Sequence, residues 1–209
     1  MSAENYITAS CVVTDQVVYK NGSRLFTNKE ADFTGFLVSA YRYFQCNYPK
    51  FYKMDNLSKF GILASEMLLK PGFLASGYNP DDIGVVLANA SSSLDTDIKY
   101  FETANNIASP SLFVYTLPNI MIGEICIRNG FKGENAFFVF NRFDANFMEQ
   151  YVSNLLNTNV LKVCICGWVE LLDYKHYGVL FLVEKMATGM NDLLFTIENI
   201  NNIYEIENG

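Results

Sequence analysis

The alternation of apolar runs with amphipathic stretches divides this chain into predicted strands and helices. Continuous apolar runs are typical of strands covered on both faces, and we predict strands at 6–13, 83–90, 136–140, 160–167 and 177–184. Apolar residues at helical spacing predict a helix at 55–70, and similar patterns predict helices at 33–44, 95–105, 118–129 and 144–157. Residues 15–30 are polar and are predicted as turns, and the tail at 192–207 as one or two short strands.

The connections between these elements predict a mixed α/β sheet with helices on both faces. The loop at 171–176 is short enough to force antiparallel pairing of the last two strands. Helices separate the earlier strands, which we therefore expect to be parallel. Within the helix at 118–129, Gly123 costs about 1 kcal/mol relative to alanine. Its presence is explained if another backbone comes close at that point.

The composition predicts a single domain, covering 1–209, with surplus apolar surface. Half of the residues are hydrophobic and 18% are charged, which is enough apolar material for a sizeable core. Aromatic residues make up 15% of the chain, more than one core of this size needs, and this indicates a surface for a partner.

Charge and cysteine content narrow the function classes. The net charge is −7 and there is no basic run, which argues against nucleic acid or an anionic membrane surface as a partner. No apolar run approaches the length of a membrane span. An odd number of cysteines without a C-x-x-C pair, and no recognisable signal peptide, favour a reducing, cytoplasmic setting; these cysteines are Cys11, Cys46, Cys126, Cys164 and Cys166.

His176 is the single histidine of the sequence. Multi-histidine metal sites, and mechanisms that need two histidines in this chain, are therefore excluded. We predict no metal site and no cofactor. The favoured interpretation of His176 is a solvated loop residue; a role as general base would need a partnered acid, and only Asp173 is nearby.

Several motifs, in order, resemble β-ketoacyl-acyl-carrier-protein synthases. They are Leu117-Pro118-Asn119, then Gly123, then Gly130-Phe131-Lys132-Gly133, with further likeness at 53–55, 83–90 and 166–170. The resemblance is strongest over 53–183. It implies the N-terminal half of a thiolase-like fold. Its sheet would be mixed and five-stranded, and the strands, numbered along the chain, would lie side by side in the order 3-2-1-4-5. The last strand would be antiparallel, and 136–140 would lie at the edge.

The resemblance also implies where a nucleophile would lie. The family carries a cysteine just after the third strand, at the start of the next helix. Gap-free counting from Gly133 forward and from Gly167 backward reaches Arg142, and arginine cannot accept an acyl group. The catalytic histidines of the family lie in a C-terminal half that this sequence does not contain. The chain thus resembles the shortened, chain-length-factor-like partner subunits of aryl-polyene and flexirubin-type ketosynthases, and we lean towards a non-catalytic role.

The expected partner is a full-length ketosynthase subunit, paired as a heterodimer, or a second copy of this chain, through the strand at 136–140. An apolar edge strand with unpaired backbone groups is prone to aggregate unless another strand pairs with it. An acyl carrier protein would be involved only indirectly, because the chain is acidic and its only modest basic cluster is Lys50, Lys53 and Lys59. The predicted interface comprises Thr116, Leu117, Pro118, Asn119, Ala136, Phe137, Phe138, Val139, Phe140, Asn141, Arg142 and Phe143.

Other interpretations remain open at this point. The chain could be an acyltransferase or 3-oxoacyl-ACP synthase in its own right that uses another cysteine, although none has a visible activating base. It could instead be a homodimeric module that binds acyl chains or a carrier protein. Arg142 could pair with Asp144 or contact substrate, Cys164 and Cys166 could be a redox pair rather than core residues, and the aromatic segment 33–52 could line a lipid channel rather than pack on the sheet.

Overall fold

The computed structural model describes residues 4–70, 72–73, 75–104, 107–173, 175–190 and 192–205. Its strands are β1 Tyr6–Thr14, β2 Val17–Lys20, β3 Ser23–Thr27, β4 Ile83–Asn89, β5 Asn135–Val139, β6 Val163–Leu172, β7 Lys175–Glu184 and β8 Leu193–Leu194. Its helices are α1 Phe33–Tyr43, α2 Asn56–Leu69, α3 Leu94–Ala104, α4 Pro110–Phe113, α5 Asn119–Asn129, α6 Ala145–Asn157 and α7 Ile197–Glu205.

All described strands join one mixed sheet of eight strands, in the order β3-β2-β1-β7-β6-β4-β5, with β8 beside the start of β1. The predicted mixed α/β architecture is confirmed. β4 pairs in parallel with both β5 and β6, and β6 pairs antiparallel with β7, as the connection lengths indicated. β5 lies at the edge, as expected.

The strand count and the 3-2-1-4-5 order were wrong. β1 does not lie between the second and fourth predicted strands, because β6 pairs directly with β4 and leaves no place there. Instead β1 pairs antiparallel with β7 along its length, and its other edge pairs with β2. The segment 15–30 also differs from the predicted turns: it forms β2 and β3, whose tight connections contain positive φ angles at Asp15, Gln16, Asn21 and Gly22.

Two apolar layers cover the sheet. On one face α1, α2 and α5 enclose a core that includes Phe36, Phe60 and Ile122. On the other face α6 and α7 enclose Met148, Phe181 and Ile200. The aromatic segment 33–52 belongs to the first core, with Phe36 and Phe51 fully buried, so ordinary packing on the sheet explains it.

Local signals placed most helix ends within a residue or two. Asp55 accepts a hydrogen bond from the backbone N–H of Ser58 at 2.9 Å, and Gly130 ends α5 at a left-handed φ of 73°. The tail differs from the prediction, since it forms only the two-residue β8 before α7. The predicted ends at 105 and at 206–207 lie outside the described residues.

No single helix in the described ranges has the length and apolar character needed to cross a membrane. The segments Pro110–Thr116 and Asn119–Asn129 meet that criterion only when taken together, and they meet at a bend of 100°.

Candidate functional site

The candidate site is the turn between edge strand β5 and helix α6. The backbone N–H of Phe140 donates to Asn89 O at 3.0 Å, which extends the β4–β5 pairing to the start of the turn. At its other end, the Asp144 carboxylate accepts from Phe147 N at 2.9 Å and caps α6. Arg142 lies between these two fixed points with its side chain exposed. The structure therefore places Arg142 in the turn between β5 and α6, next to the start of that helix.

The charge at Arg142 is not neutralised by the neighbour that we considered. None of the ion pairs among the described residues includes Arg142, and Asp144 is turned towards the helix it caps. A cation next to a helix N-terminus is also opposed by the helix dipole. Arg142 thus contributes little to local stability, and its guanidinium remains available at the surface.

Helix α7, which the prediction missed, forms the opposite wall of a cleft beside this turn. The ring of Phe143 stacks on Tyr204 with centroids 4.6 Å apart, and Tyr177 Oη donates to Tyr204 O at 2.6 Å. The cleft has a volume of about 620 Å³. Its lining combines Phe140, Asn141, Arg142, Phe143, Asp144, Ala145 and Asn146 with Ile197, Asn201, Tyr204 and Glu205.

The side chains of β5 are better covered than the sequence suggested. Phe138 packs edge-to-face on Phe147 and Tyr151 of α6, at centroid distances of 4.8 and 5.1 Å. Phe137 packs against the opposite core. What remains open is the backbone edge, which pairs with no second strand among the described residues, and Val139, which is 52% exposed. A partner at this edge would mainly satisfy backbone groups rather than cover aromatic rings.

The predicted interface corner at 116–119 lies at the same end of the sheet. Ser93 Oγ, just after β4, donates to Thr116 O at 2.8 Å. Asn89, the last residue of β4, pairs with Val139 at the end of β5. The structure thus brings the 116–119 corner to the end of the sheet where β5 and the Arg142 turn meet.

The motif at 166–170 has a structural explanation. Glu170 Oε2 accepts from the backbone N–H groups of Ala90 and Ser91, at 2.6 and 3.2 Å, and so holds the loop after β4. Gly167 has a φ of +148°, and a Cβ at this position would collide with Val179 O of β7. Both residues therefore shape the sheet end that carries the site.

The cysteines offer no activated thiol. Burial raises the pKa of Cys11 to about 12 and that of Cys126 to about 11. Burial likewise raises the pKa values of Cys46 and Cys166 above the ordinary range. Cys164 and Cys166 are fully buried on one face of β6, as expected for core residues. A nucleophilic thiol requires the opposite shift.

His176 is not the solvated loop residue that we predicted. It lies in β7, half-buried, and its ring stacks on Phe33 with centroids 4.1 Å apart. The β6–β7 connection is shorter than predicted, so the strand includes this position. Nor does any group of three or more His, Cys, Asp or Glu side chains, within the ranges described above, come together as a metal site.

The amino-acid sequence matches no protein-family model, and no curated protein sequence is significantly similar to it. Solved structures do match. A chain of the ishigamide ketosynthase/chain length factor aligns with a TM-score of 0.64 at 18% identity, over 90% of this chain and 63% of that one. AntDE:AntF, a type II PKS acyl-carrier protein in complex with its ketosynthase bound to the hexaketide, aligns with a TM-score of 0.59 at 15% identity, over 88% and 63%.

A third match is the ketosynthase ApeO in complex with its chain length factor ApeC from Xenorhabdus doucetiae, with a TM-score of 0.52 at 10% identity, over 89% of this chain and 80% of that one. The chain spans less than two thirds of the length of the first two of these chains. At these identities the likeness shows the fold, which is the thiolase-like fold of ketosynthases and chain length factors.

Proposed function

We propose that this chain is a non-catalytic, ketosynthase-like subunit of the chain-length-factor type. It pairs with an active β-ketoacyl-ACP synthase in fatty-acid or polyene-type biosynthesis, stabilises that subunit and limits the length of its acyl tunnel. The observation that carries the proposal is Arg142 in the turn between β5 and α6. A guanidinium stays protonated and has no nucleophilic lone pair, so acyl transfer cannot begin at this position.

The state of the thiols supports the non-catalytic role. Four of the cysteines have raised pKa values, and Cys164 is fully buried. Acyl transfer through another cysteine would need a thiolate near neutral pH, with a base or cation to stabilise it. The only histidine, His176, belongs to β7, and its ring lies against Phe33 of α1 rather than beside the cleft. The alternative of an independent enzyme therefore has no candidate nucleophile with a suitable environment.

The open edge of β5 supports a protein partner. An edge strand with free backbone groups is stabilised by pairing with another strand. The 116–119 corner and the turn at 140–143 border this edge, so the interface that we propose is the one predicted from the sequence. Two of the structural matches are described as a ketosynthase with a chain length factor, which supports a ketosynthase as the partner class.

We also propose a cytoplasmic assembly in which residues 1–209 act as one domain. All five cysteines are free, which suits a reducing compartment. A single continuous sheet carries every described strand, which suits a single domain.

Co-expression tests this function directly. The tagged chain would be produced together with the full-length ketosynthase encoded nearest to it in the genome, and purified by affinity and size-exclusion chromatography. We expect a 1:1 complex and a higher yield of soluble, active ketosynthase. Separate elution, with no change in ketosynthase solubility or activity, would show that the proposal is wrong.

Val139→Lys locates the interface within the same experiment. A lysine on an open edge opposes strand pairing, while the 52% exposure of Val139 leaves the fold able to accept it. We expect at least a tenfold loss of recovered complex. Asn154→Lys is the matched control, because it adds the same charge to an exposed helix position of α6 rather than to a strand edge.

A further inference from the structure

An exposed apolar surface extends over α4 and α5, next to the edge strand. Phe113, Val114, Leu117 and Ile127 are 59, 50, 57 and 69% exposed. On α5, Ile120, Gly123 and Ile127 follow one another at i, i+3 and i+7, so they share one stripe of the helix. We call this region the α4–α5 surface: Phe113, Val114, Leu117, Ile120, Gly123 and Ile127.

Gly123 is the residue of this surface that the fold itself does not explain. Glycine destabilises the interior of a helix relative to alanine, and it is usually required for a positive φ or for close packing. Gly123 lies in regular helix, and a Cβ placed on it would have no neighbour within 4 Å among the described residues. None of the residues that the structure describes therefore makes the close approach that the sequence suggested.

The charge pattern identifies the kind of occupant. From Thr103 to Gly123 the sequence has no Asp, Glu, Lys or Arg. An anionic membrane surface, an acidic carrier protein or a nucleic acid would each be expected to meet lysine or arginine here. The cores of stable protein interfaces, in contrast, are depleted of charge. The surface is also continuous with the open edge, because α5 packs against β5 and begins at the sheet end where β5 finishes.

We propose that a helix of the partner subunit crosses α5 at Gly123, where the missing side chain lets the two backbones approach closely. This inference rests on the proposed pairing with a ketosynthase and adds a second contact to the β5 edge. The crossing would be flanked by Ile120 and Ile127. It makes the α4–α5 surface the apolar centre of the interface, with the strand edge beside it.

Substitutions at Gly123 test the crossing with the co-expressed pair. Gly123→Leu fills the open space and should weaken the complex at least tenfold, measured as the Kd of the purified subunits. Gly123→Ala is the second variant: it should raise the Tm of the isolated chain by about 2–4 °C, because alanine favours the helix, and still weaken pairing severalfold. Asn154→Leu, on the exposed face of α6, is the matched control and should pair like the wild type.

The outcomes separate this inference from the proposed function. If Val139→Lys disrupts the complex while both Gly123 variants pair as tightly as the wild type, the helix crossing is wrong and the pairing stands. If the wild-type chain does not pair with the ketosynthase at all, the proposed function fails. Binding of the isolated chain to phosphatidylcholine vesicles, kept or strengthened in Gly123→Leu because the leucine adds apolar surface, would also overturn the inference by showing a membrane as the occupant.

Discussion

At the residue scale, the central feature is the guanidinium of Arg142, in the turn between β5 and α6. This turn exposes the side chain at position 142 to solvent. The strand pairing through Phe140 and the cap at Asp144 fix both ends of this turn. A residue at position 142 therefore faces solvent next to the first turn of α6. The geometry would serve a nucleophile, and the residue present excludes one.

Arg142→Cys tests this separation of geometry from chemistry. The new thiol would be exposed near a helix N-terminus, which favours its thiolate, whereas the native thiols are buried or have raised pKa values. We expect iodoacetamide at pH 7.5 to modify it at least tenfold faster than any native cysteine, as followed by peptide mass spectrometry. We expect no condensation activity, because no histidine lines the cleft.

The matched control is Asn154→Cys, an exposed position near the C-terminal end of α6, where the helix dipole does not favour a thiolate. Slow modification of the new thiol, comparable to that of the native cysteines, would show that the turn is not presented as described. Turnover by the Arg142→Cys chain alone would contradict the non-catalytic proposal.

Part of the candidate site could be predicted from the sequence, because the local capping signal at Asp144 placed the start of α6 within one residue. His176 shows what was not predictable. Its ring stacks on Phe33, a residue 143 positions away in sequence, so its environment depends on how the sheet is assembled. The wall of the cleft formed by Tyr204 was missed for the same reason.

At the element scale, strand and helix identities followed from local patterns, while the strand order did not. The runs at β4, β6 and β7 are apolar on both faces or nearly so, which is typical of buried strands whatever their neighbours in the sheet. β2 and β3 alternate more weakly, since β3 is mostly exposed, and their turns require positive φ at residues that are not all glycine. The local sequence pattern therefore predicted neither the pairing of β2 with β1 nor the position of β1 beside β7.

A buried ion pair joins α2 to α5. The Glu66 carboxylate of α2 pairs with Arg128 Nε of α5 at 2.6 Å and with Lys70 Nζ at 2.7 Å, and Glu66 is only 4% exposed. Burial raises the pKa of Glu66, but these two partners outweigh it and hold the pKa below its usual range. We expect Glu66→Gln to cost roughly 3 kcal/mol in the free energy of unfolding at pH 7, since it leaves Arg128 without its counter-charge.

The pH dependence follows from the direction of this shift. A depressed folded-state pKa contributes its full stabilisation above the unfolded-state value, near 4.3, and loses it as the pH falls through the folded-state value. The gap between wild type and Glu66→Gln, measured by urea unfolding, should therefore be constant from pH 7 to about 5 and then shrink. Asp82→Asn is the control, because Asp82 pairs with Lys162 at the surface. A gap that stays constant down to pH 3 would contradict this account.

At the scale of the whole molecule, the two helices nearest the β5 edge differ in the character of their outward faces. The outward positions of α6 include Asn146, Gln150, Asn154 and Asn157, which are polar and exposed. α5, on the other face, exposes isoleucine and an open glycine position. The sheet edge at β5 lies between these helices. A partner that pairs with β5 would therefore also extend over the α5 side, which leaves α6 in contact with solvent.

The overall charge predicts how the chain meets a carrier protein. The net charge is −7, and Lys50, one of the three lysines in the basic cluster, is already paired with Glu124 at 2.7 Å. Carrier proteins are usually acidic, so the isolated chain should repel them rather than bind. We expect calorimetry at 50 mM salt to show no binding of the cognate acyl carrier protein to the isolated chain, and clear binding to the assembled pair.

Charge reversal shows which subunit supplies the carrier site. Lys53→Glu removes an unpaired member of the basic cluster, and Asn154→Glu adds the same charge sign on α6. Because the partner is expected to provide the docking surface, both variants of the pair should bind the carrier within about twofold of the wild type. Salt screens the attraction between exposed opposite charges, so carrier binding that depends on this cluster would weaken steeply as salt is added. If the isolated chain bound the carrier in this way, and if binding were lost in Lys53→Glu but retained in Asn154→Glu, this chain would instead be the docking subunit.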